Sequence, residues 1–523
     1  VTVTTVAKGA DRAVGDAAAS LLGRFAASRQ WVAARSRIPL FGLLMLQAAL
    51  SWRLDNSAFQ DESLYLYAGH RELAQLLHHT PTFDNYSAYF SGAPFLYPVL
   101  GALADHVAGL AGARALSLLF MLATTGLLHA LTRRLFGRPA ALLAAAVFAV
   151  TGPTLFLGHL ATYDAMALFL LALAAWAAVR TAALPALTAA LVAPPLVLAA
   201  FTKYAALLYL PTVLALVVLA AVPGRGWWRG LLRGALVLAA AAGCGYGVIA
   251  LAGRSFVAGV RSTTTARQSG TDPTGLLVRH SVEYGGAVFL LAIAGAVLLV
   301  RHRPAGAAGR PGRFALGLLL TGTALLAPAY QIHLHTLTSL HKHVGYGLFF
   351  AAPMAGYALS RLLGSRLHDP RRLGLALASC LLVAGLGIQQ SAQLFRQWPD
   401  ATGLVQALRT QVRPITGRYL AEESEVPRYY LRDLVQPYQW SGTYFFDYTD
   451  KKGRHYTGVP AYKAAIADRY FDLIVLRYGP TAALDRQIDG DLTAGHGYQL
   501  IAKVRADSGY GSGTWFVWRA DGT

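Results

Sequence analysis

The sequence predicts an all-α polytopic membrane domain of about eleven transmembrane helices, followed by a small α/β domain outside the membrane. Three observations carry that expectation. Of 523 residues, 55% are hydrophobic and only 14% charged, with a mean hydropathy of +0.42, whereas a soluble protein carries about 25% charged residues. Apolar runs separated by short loops follow one another from Ile38 to Gln390. From about Arg396 the composition becomes that of a soluble domain, with acids returning at Asp400, Glu422, Glu423, Glu425 and Asp433.

Residues 1–36 read as a basic cytoplasmic tail, with Lys8, Arg12, Arg24, Arg29 and Arg35. No clean cleavage site follows the next apolar segment, so Ile38 to Trp52 is expected to be a retained first span and not a removed signal peptide. The membrane domain covers 37–391. Within it, residues 54–112 form a long first outer loop, amphipathic from Asp61-Glu62 to about His79 and lying along the membrane surface. A second span, about Ala113 to Leu131, ends in Arg133-Arg134 and Arg138.

The same test runs to the end of the domain. Spans from Ala140 to Phe156, to Val179, through Phe201, to Gly224, to Leu251, to Arg301, to Ala329, to Arg361 and from Leu373 to Ile388 alternate direction. The densest Arg clusters then fall on the inner side, as the positive-inside rule requires. Arg254 to Glu283 is expected to be a polar outer loop. The chain thus sits in the cytoplasmic membrane, amino end inside, with residues 392–523 outside. In that last domain a helix capped by Asp400 or Thr402 precedes strands at Ile415–Leu420, Tyr444–Tyr448, Phe471–Leu476, Tyr498–Val504 and Thr514–Trp518, with helices near Ala461–Ala467 and Ala482–Ile488.

Composition also excludes. The net charge of +20 lies in clusters between apolar runs, suited to lipid headgroups and not to nucleic acid. Cys244 and Cys380 sit inside apolar segments at no metal or disulfide spacing. No phosphate-binding loop or dinucleotide fingerprint stands in a strand-turn-helix context, so the donor is not a cytosolic nucleotide.

Acids are scarce in the membrane domain, so those present are informative. Asp61 and Glu62 open the first outer loop as candidate catalytic carboxylates, Asp61 as general base. Asp164 opens a helix at the same membrane face, where it caps the helix, serves a site, or does both. Lys203 and Lys342 stand at two outer helix mouths, where an ammonium either meets a lipid phosphate or snorkels to the interface as an anchor. His341 and His343 flank Lys342, and Arg71 adds another outer cation. The alternating His333, His335, His341 and His343 do not make a helical ligand pair, so no metal site is assigned; no cofactor is required, and a divalent cation is left open.

Taken in order, Asp61-Glu62 with Tyr65 and Tyr67, Tyr89-x-x-Gly92-x-Pro94-x-x-Tyr97-Pro98, Tyr163-Asp164-Ala165, Thr202-Lys203-Tyr204, and Ser339-Leu340-His341-Lys342-His343 with Tyr346 form a recognisable series. It resembles the GT-C fold glycosyltransferases of the protein O-mannosyltransferase and lipid A aminoarabinose transferase type, glycosyltransferase family 39-like, over residues 38–365. The resemblance implies an inverting transfer of a monosaccharide from a polyprenyl-phosphate carrier to a glycan, lipid or protein acceptor outside the cytoplasmic membrane, and it assigns the base role to Asp61. Its motifs place Tyr65, Tyr89, Tyr97, Tyr163, Asp164 and Tyr346 in a pocket about the acceptor, and the outer-face residue inventory independently offers Lys203, Lys342, His341, His343 and Arg71 for the donor phosphate. One departure is Phe95-Leu96-Tyr97-Pro98, where the aminoarabinose transferases have a Lys before paired prolines. The rival readings are a transporter or flippase for a lipid-linked sugar and a non-catalytic envelope assembly protein. The former expects charges at mid-membrane and repeated broken helices, whereas here polar groups gather at helix ends.

Overall fold

The computed structural model describes residues 38–302, 309–364, 369–493 and 497–522, the side chain of Ser255 apart; the basic tail at 1–36 and Arg303 lie outside the described residues. Apolar composition and length make six of the described helices able to cross a membrane: Tyr97–Phe136, Tyr163–Thr181, Tyr204–Arg254, Thr274–Arg301, Arg310–His333 and Pro370–Leu394. Shorter apolar helices are Ile38–Ser51, which precedes them, and Arg138–Ala149 and Ala186–Thr202, which lie between them.

Two breaks divide the longest elements. Gly109 (φ 61°) separates a first segment from Tyr97 from the span proper. Gly226 (φ 75°) folds Tyr204–Arg254 back on itself, so that Gly230 and Gly234 lie against Val218. Only glycine takes such backbone angles at no steric cost. With the fold-back of Tyr204–Arg254, Leu340–Leu363 and the three shorter apolar helices counted as well, the described residues hold eleven apolar helical segments, the number the hydropathy pattern predicts. The chain is a multi-pass membrane protein.

Small residues let the passes touch backbone to backbone, the usual means of helix association where lipid gives no hydrophobic drive. Gly295 meets the Met354 backbone, Gly356 meets Ala140 and Ala144, and Gly387 meets Val150. The first two of these contacts pack against Leu340–Leu363, which is buried over nearly its whole length. That helix therefore has a fixed height and rotation, and its first turn carries Lys342.

The C-terminal domain holds a five-stranded sheet. Its strands are β1 (Tyr419–Ala421), β2 (Trp440–Gly442), β5 (Leu473–Leu476), β6 (Tyr498–Arg505) and β7 (Thr514–Ala520), in the order β2-β1-β5-β7-β6. Pairing is parallel among β2, β1 and β5 and antiparallel among β5, β7 and β6. A separate hairpin joins β3 (Asp447–Thr449) to β4 (His455–Thr457). Helices Thr402–Arg409, Val459–Ala467 and Ala482–Thr493 fall where the sequence predicts them.

Several elements differ from expectation, among them the strand expected at Tyr444–Tyr448, of which only Asp447 and Tyr448 are extended, in β3. The strand predicted from Ile415 begins only at Tyr419, because Ile415 adopts φ +71°, which an extended strand cannot continue. Arg254–Glu283 is not a continuous loop: helix persists to Thr263 and resumes at Thr274. The strands β2 and β4 and the helix Glu425–Tyr430 go unpredicted. That helix packs on Gln60–His78 and fastens the domain to the membrane bundle. Arg428 pairs with Asp84 at 2.8 Å, and buried Asp105 takes His70 at 2.6 Å and Arg432 at 3.0 Å. Trp398 and Tyr430 close the junction through the backbone of Ser57 and Ala58.

Inside the domain Asp485 is fully buried beside Glu422. Burial first, and the neighbouring carboxylate second, push its carboxyl up to about 7. A carboxyl raised by folding stabilises the fold below the ordinary carboxylate range and loses that contribution as pH rises through its folded value. Hydrogen exchange in β5 and β7 should therefore accelerate between about pH 4 and pH 7 relative to Asp485→Asn, which removes the titration. Equal pH dependence in the two proteins would refute the assignment.

Candidate active site

Asp61 and Glu62 are the second and third residues of helix Gln60–His78, where the helix dipole favours negative charge. Successive helical residues point about 100° apart, and the two carboxylates accordingly have different surroundings. Glu62 turns inward and is fully buried. It accepts from Arg114 Nε and Nη2 at 2.9 and 2.8 Å, from the Phe59 N–H at 2.9 Å and from the Ala161 N–H at 2.8 Å. Arg114 spends its remaining donors on the carbonyls of Asn56 and Ser57. Glu62 thus neither faces solvent nor lines a cavity. It fixes the entry to the helix and so the direction of Asp61.

Asp61 faces a cavity of about 1460 Å³ that it shares with Lys203 and Lys342. Its Oδ2 accepts from Lys342 Nζ at 2.6 Å, the Lys side chain being 3% exposed and the Asp side chain 32% exposed. Lys342 stands in the first turn of its helix, where a cation opposes the dipole. The preceding Ser339 is left-handed at φ +62°, a conformation that costs a non-glycine residue about 1–2 kcal/mol. Unfavourable backbone and unfavourable dipole together deliver His341, Lys342 and His343 to the cavity wall.

The second pair lies beneath. Asp164, second residue of Tyr163–Thr181, is 3.6 Å from Lys203 Nζ and receives the Tyr346 hydroxyl on its backbone carbonyl at 3.1 Å. Lys203 also sits 4.4 Å from the Tyr163 ring centre. Tyr163 Oη is 2.6 Å from both Tyr65 Oη and Ser91 Oγ. Segment Ser91–Ala93 runs beside Phe201–Tyr204 through two backbone hydrogen bonds, and a side chain on Gly92 would strike the Thr202 carbonyl. That close approach holds Lys203 in place.

Of the expected residues, Asp61, Tyr65, Tyr89, Lys203, His341, Lys342 and His343 line one cavity. Tyr163, Asp164 and Tyr346 form the buried layer under it. Arg71 and Tyr97 do not belong: Arg71 is directed to the Pro81 carbonyl at 3.4 Å, and Tyr97 is sealed against Ser117 at 2.9 Å. Ser91 and the row Ser262–Thr265 line the wall without having been singled out, and Arg267, expected only as one of several outer-face cations, lines it too. So do Glu423, Arg477, Ser508 and Tyr510 of the C-terminal domain. Glu423 pairs with Arg477 at 2.8 Å, while burial raises its carboxyl above the usual range. No local sequence signal could place these on the cavity, since only the docking of the second domain brings them there. Among the described residues no group of three or more His, Cys, Asp or Glu is gathered closely enough to hold a metal ion.

Comparison with known proteins agrees with this architecture. A family model described as dolichyl-phosphate-mannose-protein mannosyltransferase matches residues 94–244. ArnT from Cupriavidus metallidurans bound to undecaprenyl phosphate has a TM-score of 0.60 at 15% identity, covering 92% of this chain and 97% of that chain. Its apo structure gives 0.59 at 16%, covering 94% and 98%. The archaeal oligosaccharyltransferase AglB from Archaeoglobus fulgidus, in complex with an inhibitory peptide and a dolichol-phosphate, gives 0.56 at 14%, covering 91% and 74%. No curated protein matches the chain in sequence. The fold is GT-C.

Glu62 and Asp61 separate cleanly by experiment. Glu62→Gln leaves the Arg114 guanidinium buried without its counter-charge and should cost about 3–5 kcal/mol. Thermal unfolding in detergent should show a larger drop in midpoint for Glu62→Gln than for Asp61→Asn, because the Asp61 side chain is partly exposed and Lys342 keeps Asp164 as a countercharge. Equal midpoints would contradict the buried anchor.

Proposed function

We propose that the protein is an inverting glycosyltransferase. It moves a monosaccharide from a polyprenyl-phosphate carrier to an acceptor hydroxyl, with Asp61 as general base. The observation that carries the reading is one cavity in which a half-exposed carboxylate stands 2.6 Å from a buried ammonium, with a second ammonium on the same wall.

The chemistry follows from these charges. Asp61 takes the proton of the acceptor O–H as its oxygen attacks the anomeric carbon. The bond from that carbon to the phosphate oxygen breaks and the phosphate leaves with the electron pair. It needs no proton, so a second acid is unnecessary, unlike in hydrolysis of a glycoside with an alkoxide leaving group. The departing phosphate gains one negative charge. Asp61 and Asp164 balance Lys203 and Lys342 before substrate arrives, so Arg267, for which no ion pair is found among the described residues, adds the surplus positive charge on the wall. Fixed cations in a site sheltered from water stabilise developing charge at little reorganisation cost.

The two sides of the cavity suit two substrates. The wall formed by Lys203, Lys342, His341 and His343 belongs to membrane helices and receives the carrier phosphate. The wall with Glu423, Arg477 and Tyr510 belongs to the C-terminal domain and receives the acceptor, whether glycan, lipid or protein. In this reading the cavity and that domain lie outside the cytoplasmic membrane, because Arg133, Arg134, Arg138, Arg225, Arg229, Arg301 and Arg361 gather at the opposite helix ends. The same likeness to proteins bound to undecaprenyl phosphate and dolichol-phosphate supports a lipid-linked donor.

Asp61→Asn should lower transfer by about 10²–10⁴-fold while leaving binding of polyprenyl phosphate within a factor of a few. The check is a radiolabelled-sugar transfer assay beside a binding isotherm on the same purified protein. Undiminished transfer would remove Asp61 from the mechanism.

A further inference from the structure

The wall that faces the proposed phosphate contains a buried donor with nothing to donate to. His343 is 6% exposed and lines the cavity, and its Nε2 has no hydrogen-bond partner among the described residues. Its other ring nitrogen is engaged: Gln331 Nε2 lies 3.0 Å from His343 Nδ1 and 3.1 Å from the Thr338 carbonyl oxygen.

The direction of that contact can be deduced. Gln331 is fully buried at the end of helix Leu326–His333. Turning its amide over would set an oxygen against the Thr338 oxygen, which neither could relieve, so the nitrogen must face Thr338. One amide hydrogen goes to that carbonyl and the other to His343 Nδ1. Nδ1 then accepts, and in the neutral imidazole the proton resides on Nε2. An imidazolium would put a second hydrogen against the Gln331 N–H. It would also share the cavity wall with Lys203, Lys342 and Arg267.

We propose that Gln331 is a positioning residue that fixes His343 as the neutral Nε2–H tautomer, and that this N–H donates to an oxygen of the donor phosphate. The inference rests on the lipid-phosphate reading given above and adds a role to it. With Nδ1 occupied and Nε2 protonated, His343 has no lone pair for proton abstraction or for a metal. It is a neutral donor beside two ammoniums, set to hydrogen-bond the phosphate without changing charge between about pH 6 and pH 8, the range in which a free imidazole titrates. A buried N–H left without an acceptor costs about 1–3 kcal/mol, and a bound phosphate oxygen relieves that cost.

The test uses the full-length protein in lipid nanodiscs with ¹⁵N-labelled histidine, assigning the His343 resonances by their loss in His343→Leu. Wild type should show a bare Nδ1 and a protonated Nε2 at neutral pH, and the Nε2–H signal should move when undecaprenyl phosphate is added. His343→Leu should weaken undecaprenyl phosphate binding about tenfold, and His343→Gln, which keeps a donor, should recover most of it. Gln331→Met frees Nδ1, so the proton should no longer be confined to Nε2: the ¹⁵N shifts of His343 should move toward those of mixed tautomers, and undecaprenyl phosphate binding should weaken, while an unchanged Nε2–H tautomer would overturn the role given to Gln331. A protonated Nδ1 in wild type, or unchanged affinity in His343→Leu, would overturn the proposal while leaving the lipid-phosphate reading in place. Failure of wild type to bind undecaprenyl phosphate at all would overturn both.

Discussion

The ion pair between Asp61 and Lys342 is the constraint on which the site depends. It joins residues 281 positions apart, one at the start of a helix from the first loop and one at the start of a deeply buried membrane pass. Each helix presents its residue in the first turn, so the pair forms between two fixed helix starts. The carboxylate is at home at a helix start, whereas the ammonium is not. Lys342 is therefore stable in this position largely because Asp61 and Asp164 are there, and the pair couples the first loop to the bundle.

A second, hidden pair holds the first one in register. Glu62 and Arg114 lie out of reach of any substrate, yet they determine where Asp61 can point. Four hydrogen bonds to one carboxylate tie the loop at Phe59, the turn before Tyr163 and the start of the second pass into one unit. Adjacent acids in the sequence thus divide the work: one is saturated and structural, the other half-exposed. The C-terminal domain completes the arrangement by clamping the same first-loop helix through Asp105, Asp84 and Ser57. Its own Glu423 and Arg477 are thereby brought over the cavity.

Hydropathy made the membrane bundle legible from the sequence, because a pass must be about 20 apolar residues and every boundary in a chain this apolar carries Arg or aromatic groups. Scarcity made Asp61, Asp164, Lys203 and Lys342 legible as well. What could not be read were the partners. Arg114 within an apolar run and Gln331 at a helix end are visible as exceptions, but the atoms that satisfy them come from distant segments. Adjacency hides the rotation that separates Glu62 from Asp61, and neither the motif that includes Tyr97 nor the outer-face position of Arg71 fixes where those side chains point. The helix Glu425–Tyr430 is six residues long and gains its purpose only by docking.

Locating the phosphate tests the account most directly. Cryo-electron microscopy of the protein with undecaprenyl phosphate in nanodiscs should place the phosphate within hydrogen-bond distance of Lys203 or Lys342, with the Asp61 carboxylate open toward Glu423 and Arg477. A lipid phosphate bound at another face of the bundle, with the Asp61 cavity unoccupied at saturating lipid, would contradict it.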